Sequence, residues 1–153
     1  MTCRQAIVEA MVVRLKGILI AGGYYSDVGE NAFVWFPENL AVPDAPCLLV
    51  QDSDDTITTL DGLTLEHTLR IDVEGQLEGD EDTVTDVYDL LGDIIRAVMG
   101  PADRTLGGLC ESIQPVSGGN IKLEQRAEDV AGAVSITFEV KFRTQRGDWS
   151  VKI

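Results

Sequence analysis

The run LEHTLRIDVEGQL, residues 65–77, constrains the fold more than any other part of the sequence. Successive side chains of a β-strand point to opposite faces, so a period of two indicates a strand with one buried face. The residues on the apolar side of this run are Leu65, His67, Leu69, Ile71, Val73 and Leu77. We therefore predict a strand over residues 63–77 whose other face is solvated or shared with a partner.

The N-terminal segment has the spacing of an amphipathic helix. Apolar side chains recur three and four positions apart over residues 4–21, which predicts a helix with one buried face. Gly22 and Gly23 follow the last apolar turn, where helices often end on a left-handed residue. The stretch AGGYYSDVG is then a helix end that leads into a strand, whereas a phosphate loop follows a strand and precedes a helix. Tyr24 and Tyr25 are expected to pack at this junction.

A second amphipathic helix is predicted over residues 82–99. Its apolar positions form one stripe, and its carboxylates, Asp93 among them, are expected on the solvent side. Asp80 or Asp82 is placed to cap the free N–H groups of the first turn, where carboxylates also suit the helix dipole. Gly100 and the proline after it end the helix.

The remaining apolar runs predict strands. These are residues 32–36, 47–52, 108–114, 120–128 and 132–144, with a proline-rich link after the first. Most of them follow one another without a crossover helix, which is typical of antiparallel pairing. We predict one α+β domain over residues 1–153, with an antiparallel or mixed sheet of five to six strands, two main helices on one face and the order α-β-β-β-α-β-β-β.

The charge of the chain is unevenly distributed. The net charge is −14, and the part from Asp27 to Asp93 contains 18 acidic residues and one basic residue, Arg70. Nucleic-acid binding normally uses Lys and Arg to displace counterions from phosphates, so a sequence-reading DNA or RNA binder is disfavoured. The acidic middle is either a solubilising surface or a wall that faces something that must not adhere.

The sequence contains no motif of a known catalytic, nucleotide-binding or zinc site, so no catalytic, cofactor or metal residues are assigned. Cys3, Cys47 and Cys110 are far apart and distant from the single histidine, which disfavours a disulfide framework or a zinc site and makes a reducing compartment the default. The acidic stretch QDSDD lacks the glycine and glutamate of a calcium loop and is interpreted as an exposed turn. His67 is interpreted as a hydrogen-bonded core residue, and a ligand or a general base completed from elsewhere in the fold is the alternative.

The C-terminal tail, residues 145–153, is basic and contains an isolated tryptophan. It either continues the last strand or forms an arm that docks on a neighbouring subunit. The candidate docking residues are Arg143, Arg146 and Trp149. The sequence has no apolar run long enough to span a bilayer and no signal-peptide pattern, which favours synthesis in the cytoplasm.

Five features occur here in one order: the helix that ends in AGGYYSDVG, the aromatic AFVWF, the proline-rich link before CLLVQ, the alternating LEHTLRIDVEG, and the acidic-capped DTVTDVYDLLGDIIRAV ahead of a β-rich last third. In this combination, over roughly residues 4–142, the chain resembles the tail terminator (tail completion) proteins of long-tailed bacteriophages. The resemblance implies a structural subunit, not an enzyme, that forms a hexameric ring on the head-proximal end of the tail tube. Such a ring halts tube growth and joins the tail to the head–tail connector.

The resemblance also implies the surroundings of the protein. Its partners would be further copies of itself, the tail tube protein and the connector or neck protein, and genomic DNA would pass through the ring without sequence-specific binding. The protein would be made in the cytoplasm of the host bacterium and would reside in the virion. No family site residues transfer to this chain, because no chemical motif of the family is matched.

Carboxylates suit a lumen that DNA traverses, because they repel phosphate. The candidate residues for the lumen or for a ring interface are Asp52, Asp54, Asp55, Glu66, Asp72 and Glu74. One alternative is another connector, neck or tail tube subunit. An alternative of a different class is a small oligomeric enzyme or ligand-binding module that uses His67.

Overall fold

The computed structural model describes residues 1–34 and 45–153. Within these residues the helices are α1 (Cys3–Lys16) and α2 (Thr83–Met99), and the strands are β1 (Ala32–Val34), β2 (Cys47–Thr59), β3 (Thr64–Gly79), β4 (Ser112–Gln125), β5 (Val130–Gln145) and β6 (Asp148–Lys152). Two short 3-10 turns, Ile20–Gly22 and Val28–Asn31, connect α1 to β1.

The strands form one mixed sheet with the order β1-β2-β3-β5-β4, and β6 also pairs with β5. β1 runs parallel to β2, and the other described pairs are antiparallel. The α+β class and the six-stranded sheet are therefore confirmed.

The alternating strands build the core. In the antiparallel register of β3 and β5, Leu69 lies opposite Val140 and Val73 lies opposite Ile136, so the buried side chains of both strands share one face. Inward residues of both helices join them in a single apolar cluster. The predicted inward set of β3 is buried, except that Leu77 is only half-buried.

Helix α2 lies directly on the backbone of the sheet at two glycines. A Cβ atom at Gly75 would lie 2.6 Å from Leu90 Cδ2, and one at Gly132 would lie 2.4 Å from Val87 Cγ1. Real Cβ atoms do not approach carbon atoms this closely, so only glycine allows the helix to pack at this distance.

The predicted extent of the first helix is wrong. α1 ends at Lys16, because the N–H of Gly17 turns back to the carbonyl of Arg14. The left-handed glycine predicted at the helix end is Gly23, with φ of 86°, but it ends the 3-10 turn. Tyr25 is 73% exposed, so its predicted packing is also wrong.

The acidic stretch after Val50 is not a turn but the middle of β2. The register shifts between Asp52, opposite Ile71, and Asp55, opposite Leu69, so one extra residue bulges from β2. Regular pairing would place Asp55 on the outer face of the sheet. Asp and Ser are common in turns, so the residues of this stretch do not distinguish a strand end from a bulge inside a strand.

The strands predicted at residues 108–114 and 120–128 are one strand, β4. Pro115 and the two glycines at 118 and 119 resemble breaks, but β4 absorbs them as two register shifts, after Pro115 and after Ser117. Bulges and proline are tolerated at the edge of a sheet, which is the position of β4.

The other predicted boundaries agree closely with the structure. α2 extends over nearly the whole predicted range, and Asp82 occupies its N-cap position without a side-chain capping bond. Asp80 Oδ1 instead accepts a hydrogen bond from the N–H of Asp82 at 2.9 Å. The end of the strand predicted at residues 32–36 and the proline-rich link lie outside the described residues.

Candidate functional site

His67 is fully buried. It lies near the start of β3, beside the last residues of β2 and of β5. Its Nδ1 lies 2.9 Å from Asp55 Oδ2, and its Nε2 lies 2.8 Å from Thr144 Oγ1. In the ladder, Asp55 is opposite Leu69 and Thr144 is opposite Leu65, so each partner is the diagonal neighbour of His67 on a flanking strand. The interpretation of His67 as a hydrogen-bonded core residue is confirmed.

Two aromatic rings enclose the imidazole of His67. The Phe142 ring is stacked on it, with centroids 4.4 Å apart and planes 9° apart. The Trp149 ring meets it edge-on at 4.9 Å. Trp149 belongs to β6, which folds back antiparallel on β5 of the same chain. The C-terminal tail therefore closes over the histidine.

Arg4 links helix α1 to the β2 bulge. Its Nε contacts Asp52 Oδ2, and its Nη1 lies 3.9 Å from Asp55 Oδ2. Its Nη2 donates a hydrogen bond to the carbonyl of Ser53 at 3.3 Å. Asp55 Oδ1 is buried and accepts no hydrogen bond from the described residues. His67 and Arg4 are thus the groups that face the buried Asp55 carboxylate.

Asp55, His67 and Thr144 are linked by hydrogen bonds in the order acid, histidine, hydroxyl. In enzymes, a relay of this order activates a nucleophile. Thr144 is fully buried, however, so its hydroxyl has no access to a substrate in this conformation. Three pockets in the described part of the surface lie elsewhere, and none of the three is lined by His67. The chemistry that the arrangement supports as folded is the cross-linking of three strands by hydrogen bonds.

The six predicted lumen carboxylates do not form one surface. Glu66, Asp72 and Glu74 alternate along the outer face of β3, away from the helices. Asp52 and Asp55 point to the opposite face, where they contact Arg4 and His67. The sixth residue, Asp54, is exposed at the bulge. The bulge is the physical reason for this division.

The outer face of the sheet carries mixed charge. Glu66 lies 3.6 Å from Arg143, and Asp72 accepts a hydrogen bond from Thr137 Oγ1 at 2.5 Å. Arg70 lies opposite Glu139 in the ladder. Exposed acidic residues also lie at the start of α2, on the helix side of the sheet: Asp80, Glu81, Asp82 and Asp86. The acidic charge is therefore spread over both sides of the domain.

The three predicted docking residues all contact their own chain. The Arg143 side chain lies between Glu66 and Glu111, with its Nε 2.9 Å from Glu111 Oε1. Arg146 is exposed in the turn between β5 and β6, and its N–H donates to the carbonyl of Leu63 at 2.8 Å. Trp149 packs on His67 but stays 37% exposed. Docking of the tail on another subunit stays a prediction.

Asp93 is a buried carboxylate that the sequence reading placed on the solvent side. It is 2% exposed, and its Oδ2 accepts a hydrogen bond from the N–H of Tyr25 at 3.0 Å. Burial raises the pKa of Asp93, against the opposing effect of the Tyr25 N–H. Helical spacing could have revealed it, because Asp93 is three residues after buried Leu90 and four before buried Ala97.

Comparison with models of known protein families gave no match. Comparison with curated proteins likewise gave no significant match.

Among the helices of residues 1–34 and 45–153, none is long and apolar enough to cross a membrane. In the same residues, no group of three or more His, Cys, Asp or Glu side chains is arranged to hold a metal ion.

Proposed function

We propose that the chain is the subunit of a bacteriophage tail terminator ring. The ring caps the head-proximal end of the tail tube, stops its growth and provides the surface for the head–tail connector. One structural observation carries this proposal together with the sequence resemblance. The sheet has a polar outer face, and within the described residues two strands have an unpaired edge: β4, and β2 beyond its pairing with β1.

Unpaired edges are the part of a sheet that can join neighbouring copies. Because the free edges of β2 and β4 face opposite sides of the sheet, a contact between them is heterologous, and such contacts generate closed rings or open filaments. A terminator has to close, since it ends a polymer. Six copies are the number that the resemblance implies.

The orientation that suits a DNA channel places the outer face of the sheet toward the lumen. Asp72 and Glu74 would then face passing phosphates, while the helices and the acidic start of α2 would lie outside. Asp52 and Asp55 would not reach the lumen, because their side chains point to the helix side and contact Arg4 and His67. The mixed charge of the face suits passage without strong binding.

Negative-stain microscopy tests this proposal with the purified protein alone and mixed with tail tubes. We expect rings, either alone or at one end of each tube. In the phage, loss of the protein should give overlong or headless tails, whereas loss of a tube subunit should give no tails. The proposal would be ruled out if the purified protein left the tubes uncapped and if tails kept their normal length in a phage that lacks the protein.

A small enzyme or ligand-binding module is the second candidate, favoured by the acid–histidine–hydroxyl order of Asp55, His67 and Thr144. Burial of the hydroxyl weighs against it. The conservative change Thr144→Val tests it, because it removes the hydroxyl and retains the shape. Loss of a measurable solution activity in a folded Thr144→Val protein would favour the enzyme.

A further inference from the structure

The open edge of β2 is the stretch Asp55–Thr59, which pairs with β3 on one side and with no described residue on the other. Four consecutive residues of this stretch are exposed and β-branched: Thr56, Ile57, Thr58 and Thr59. Natural edge strands are usually protected by lysine, proline or a bulge, and this stretch contains none of them after the bulge that precedes it. Within residues 1–34 and 45–153, this edge is therefore open to pairing with another strand.

β4 is protected over only half its length. Its first half contains Pro115 and both register shifts, which disrupt an edge. Its second half, Asn120–Gln125, pairs regularly with β5 on one side, and no described residue pairs with it on the other. The unprotected halves of β2 and β4 are thus the two candidate edges for strand addition.

The direction and the faces of the two edges match. Each of the successive pairs β2–β3, β3–β5 and β5–β4 is antiparallel, so β2 and β4 run in opposite directions. Ile57 lies opposite His67 and Leu123 lies opposite Gly132, so both aliphatic side chains point to the core face. They are 41% and 45% exposed, respectively.

We propose that the Asp55–Thr59 edge of one copy pairs antiparallel with the Asn120–Gln125 edge of a second copy. With Ile57 opposite Leu123, each would bury the exposed part of the other. The same register places Asp54 opposite Arg126 and Thr58 opposite Lys122, so one acidic residue of β2 meets a basic residue next to β4 and no like charges are opposed.

Pairing of two β2 edges with each other is disfavoured by charge. A two-fold arrangement centred near Ile57 would bring Asp54 or Asp55 of one copy close to Asp61 of the other, and like charges in such positions are destabilising. The β2–β4 contact is heterologous, as the proposed ring requires. The inference rests on the proposed function only in its premise that copies of the chain associate. The contact itself is argued from the residues of the two edges.

Disulfide trapping tests the register. Ile57→Cys and Leu123→Cys are prepared separately in the full chain, mixed in equal amounts under assembly conditions and oxidised. Directly opposite residues in an antiparallel pair are within disulfide reach, so we expect a disulfide-linked dimer in the mixture and little in either variant alone. The unmodified chain controls for its own three cysteines, all of which are buried. Disulfides within one variant, or none in an assembled mixture, would overturn the proposal.

A charge swap provides the second measurement. Thr58→Lys would face Lys122, and opposed like charges should weaken self-association by about threefold per contact. Lys122→Glu, added to Thr58→Lys, should restore it. The matched control is Val116→Lys, since Val116 is a similarly exposed residue in the protected half of β4. Equal weakening by the control, or no restoration in the double variant, would contradict the pairing.

The outcomes separate this inference from the proposed function. Rings without the Ile57–Leu123 disulfide would disprove the edge contact and leave the ring in place. A specific disulfide in assemblies that never cap a tail tube would support the edge contact and disprove the terminator function.

Discussion

The ring of Trp149 stands nearly perpendicular to the imidazole of His67, at 85° and with centroids 4.9 Å apart. This contact fastens β6, all of whose residues are exposed, to the buried interior. His67 in turn reaches Asp55 and Thr144, so the end of the chain and the middle of β2 depend on one side chain.

Replacement of His67 should therefore destabilise the fold strongly. His67→Ala removes two hydrogen bonds and leaves the buried Asp55 carboxylate with Arg4 as its one remaining partner among the described residues. We expect a loss of about 3 kcal/mol in the free energy of unfolding, measured by urea denaturation. Tyr88→Ala, an exposed aromatic residue on α2, is the control and should change stability by about 0.5 kcal/mol or less. Similar losses in the two variants would show that the His67 network is not a structural link.

The contact between Trp149 and His67 predicts local and not global effects for a tryptophan variant. Trp149→Ala should speed amide hydrogen exchange in β6 while exchange in β3 stays slow, because β6 pairs with β5 over only a few residues.

If Trp149 also docks on a neighbouring subunit, its remaining exposed surface becomes buried on assembly. Fluorescence in a Trp35→Phe background measures this, and an emission maximum that does not move on assembly would argue against docking.

Gly75, which lies beneath α2, and Gly92, which lies within it, give a matched pair of alanine variants with opposite expected signs. Gly75→Ala would place a methyl group 2.6 Å from Leu90 Cδ2 and should cost about 1–3 kcal/mol. Gly92→Ala, on α2 itself, meets nothing within 4 Å and should stabilise by about 0.5–1 kcal/mol through helix propensity. Thermal unfolding of both variants checks the prediction. A Gly75→Ala protein as stable as the parent would mean that the helix is free to move away.

Asp103 gives a pH dependence with a definite sign. Its carboxylate accepts hydrogen bonds from the Thr105 side chain and from the N–H groups of Thr105 and Gly107, and these lower its pKa to about 2. Its contribution to stability is present above the unfolded pKa of 3.8 and is lost as the pH falls through about 2. Titration of its side chain by NMR should give a midpoint near 2, and a midpoint close to 3.8 would contradict the hydrogen-bonded turn.

Asp93 should show the opposite behaviour. Because burial raises its pKa, the ionised form is penalised in the folded state, and its contribution to stability falls as the pH rises through the folded pKa. Asp93→Asn retains an acceptor for the Tyr25 N–H and removes the charge. The stability of Asp93→Asn relative to the parent should increase from pH 3 to pH 7. A constant difference across this range would show that Asp93 is not penalised by burial.

Periodicity was sufficient for the parts of the fold that bury one regular face. The alternation around Leu69 and Ile136 and the helical spacing around Met11 correctly predicted which residues form the core. The apolar stripe predicted for α2 was wrong at Val84, Tyr88 and Ile95, which are exposed. Periodicity also failed where the period breaks, because an extra residue at Asp54 or a proline at 115 marks a bulge in one context and a strand end in another.

The His67 site could be predicted only in part. Its place on the apolar face followed from the alternation of β3, and a hydrogen-bonded role followed from its burial. Its partners come from β2 and β5, and the register that places Asp55 and Thr144 diagonally beside it depends on the bulge. No spacing within the sequence encodes that register, since the partners are 12 and 77 residues away from His67.

The bulge in β2 has a consequence for the tolerated length of the chain. β2 contains one residue more than its ladder with β3 requires, because Asp52 and Asp55 face Ile71 and Leu69. Removal of Ser53 or Asp54 would therefore keep the pairing of β2 with β3, including Asp55 beside His67, and would straighten the strand. Removal of Ser53 would also take away the carbonyl that accepts a hydrogen bond from Arg4. Removal of a residue between Thr56 and Thr59 would instead change which side chains meet the neighbouring strand. Natural variants of this protein should accordingly tolerate deletions at residues 53 and 54 and not four residues later.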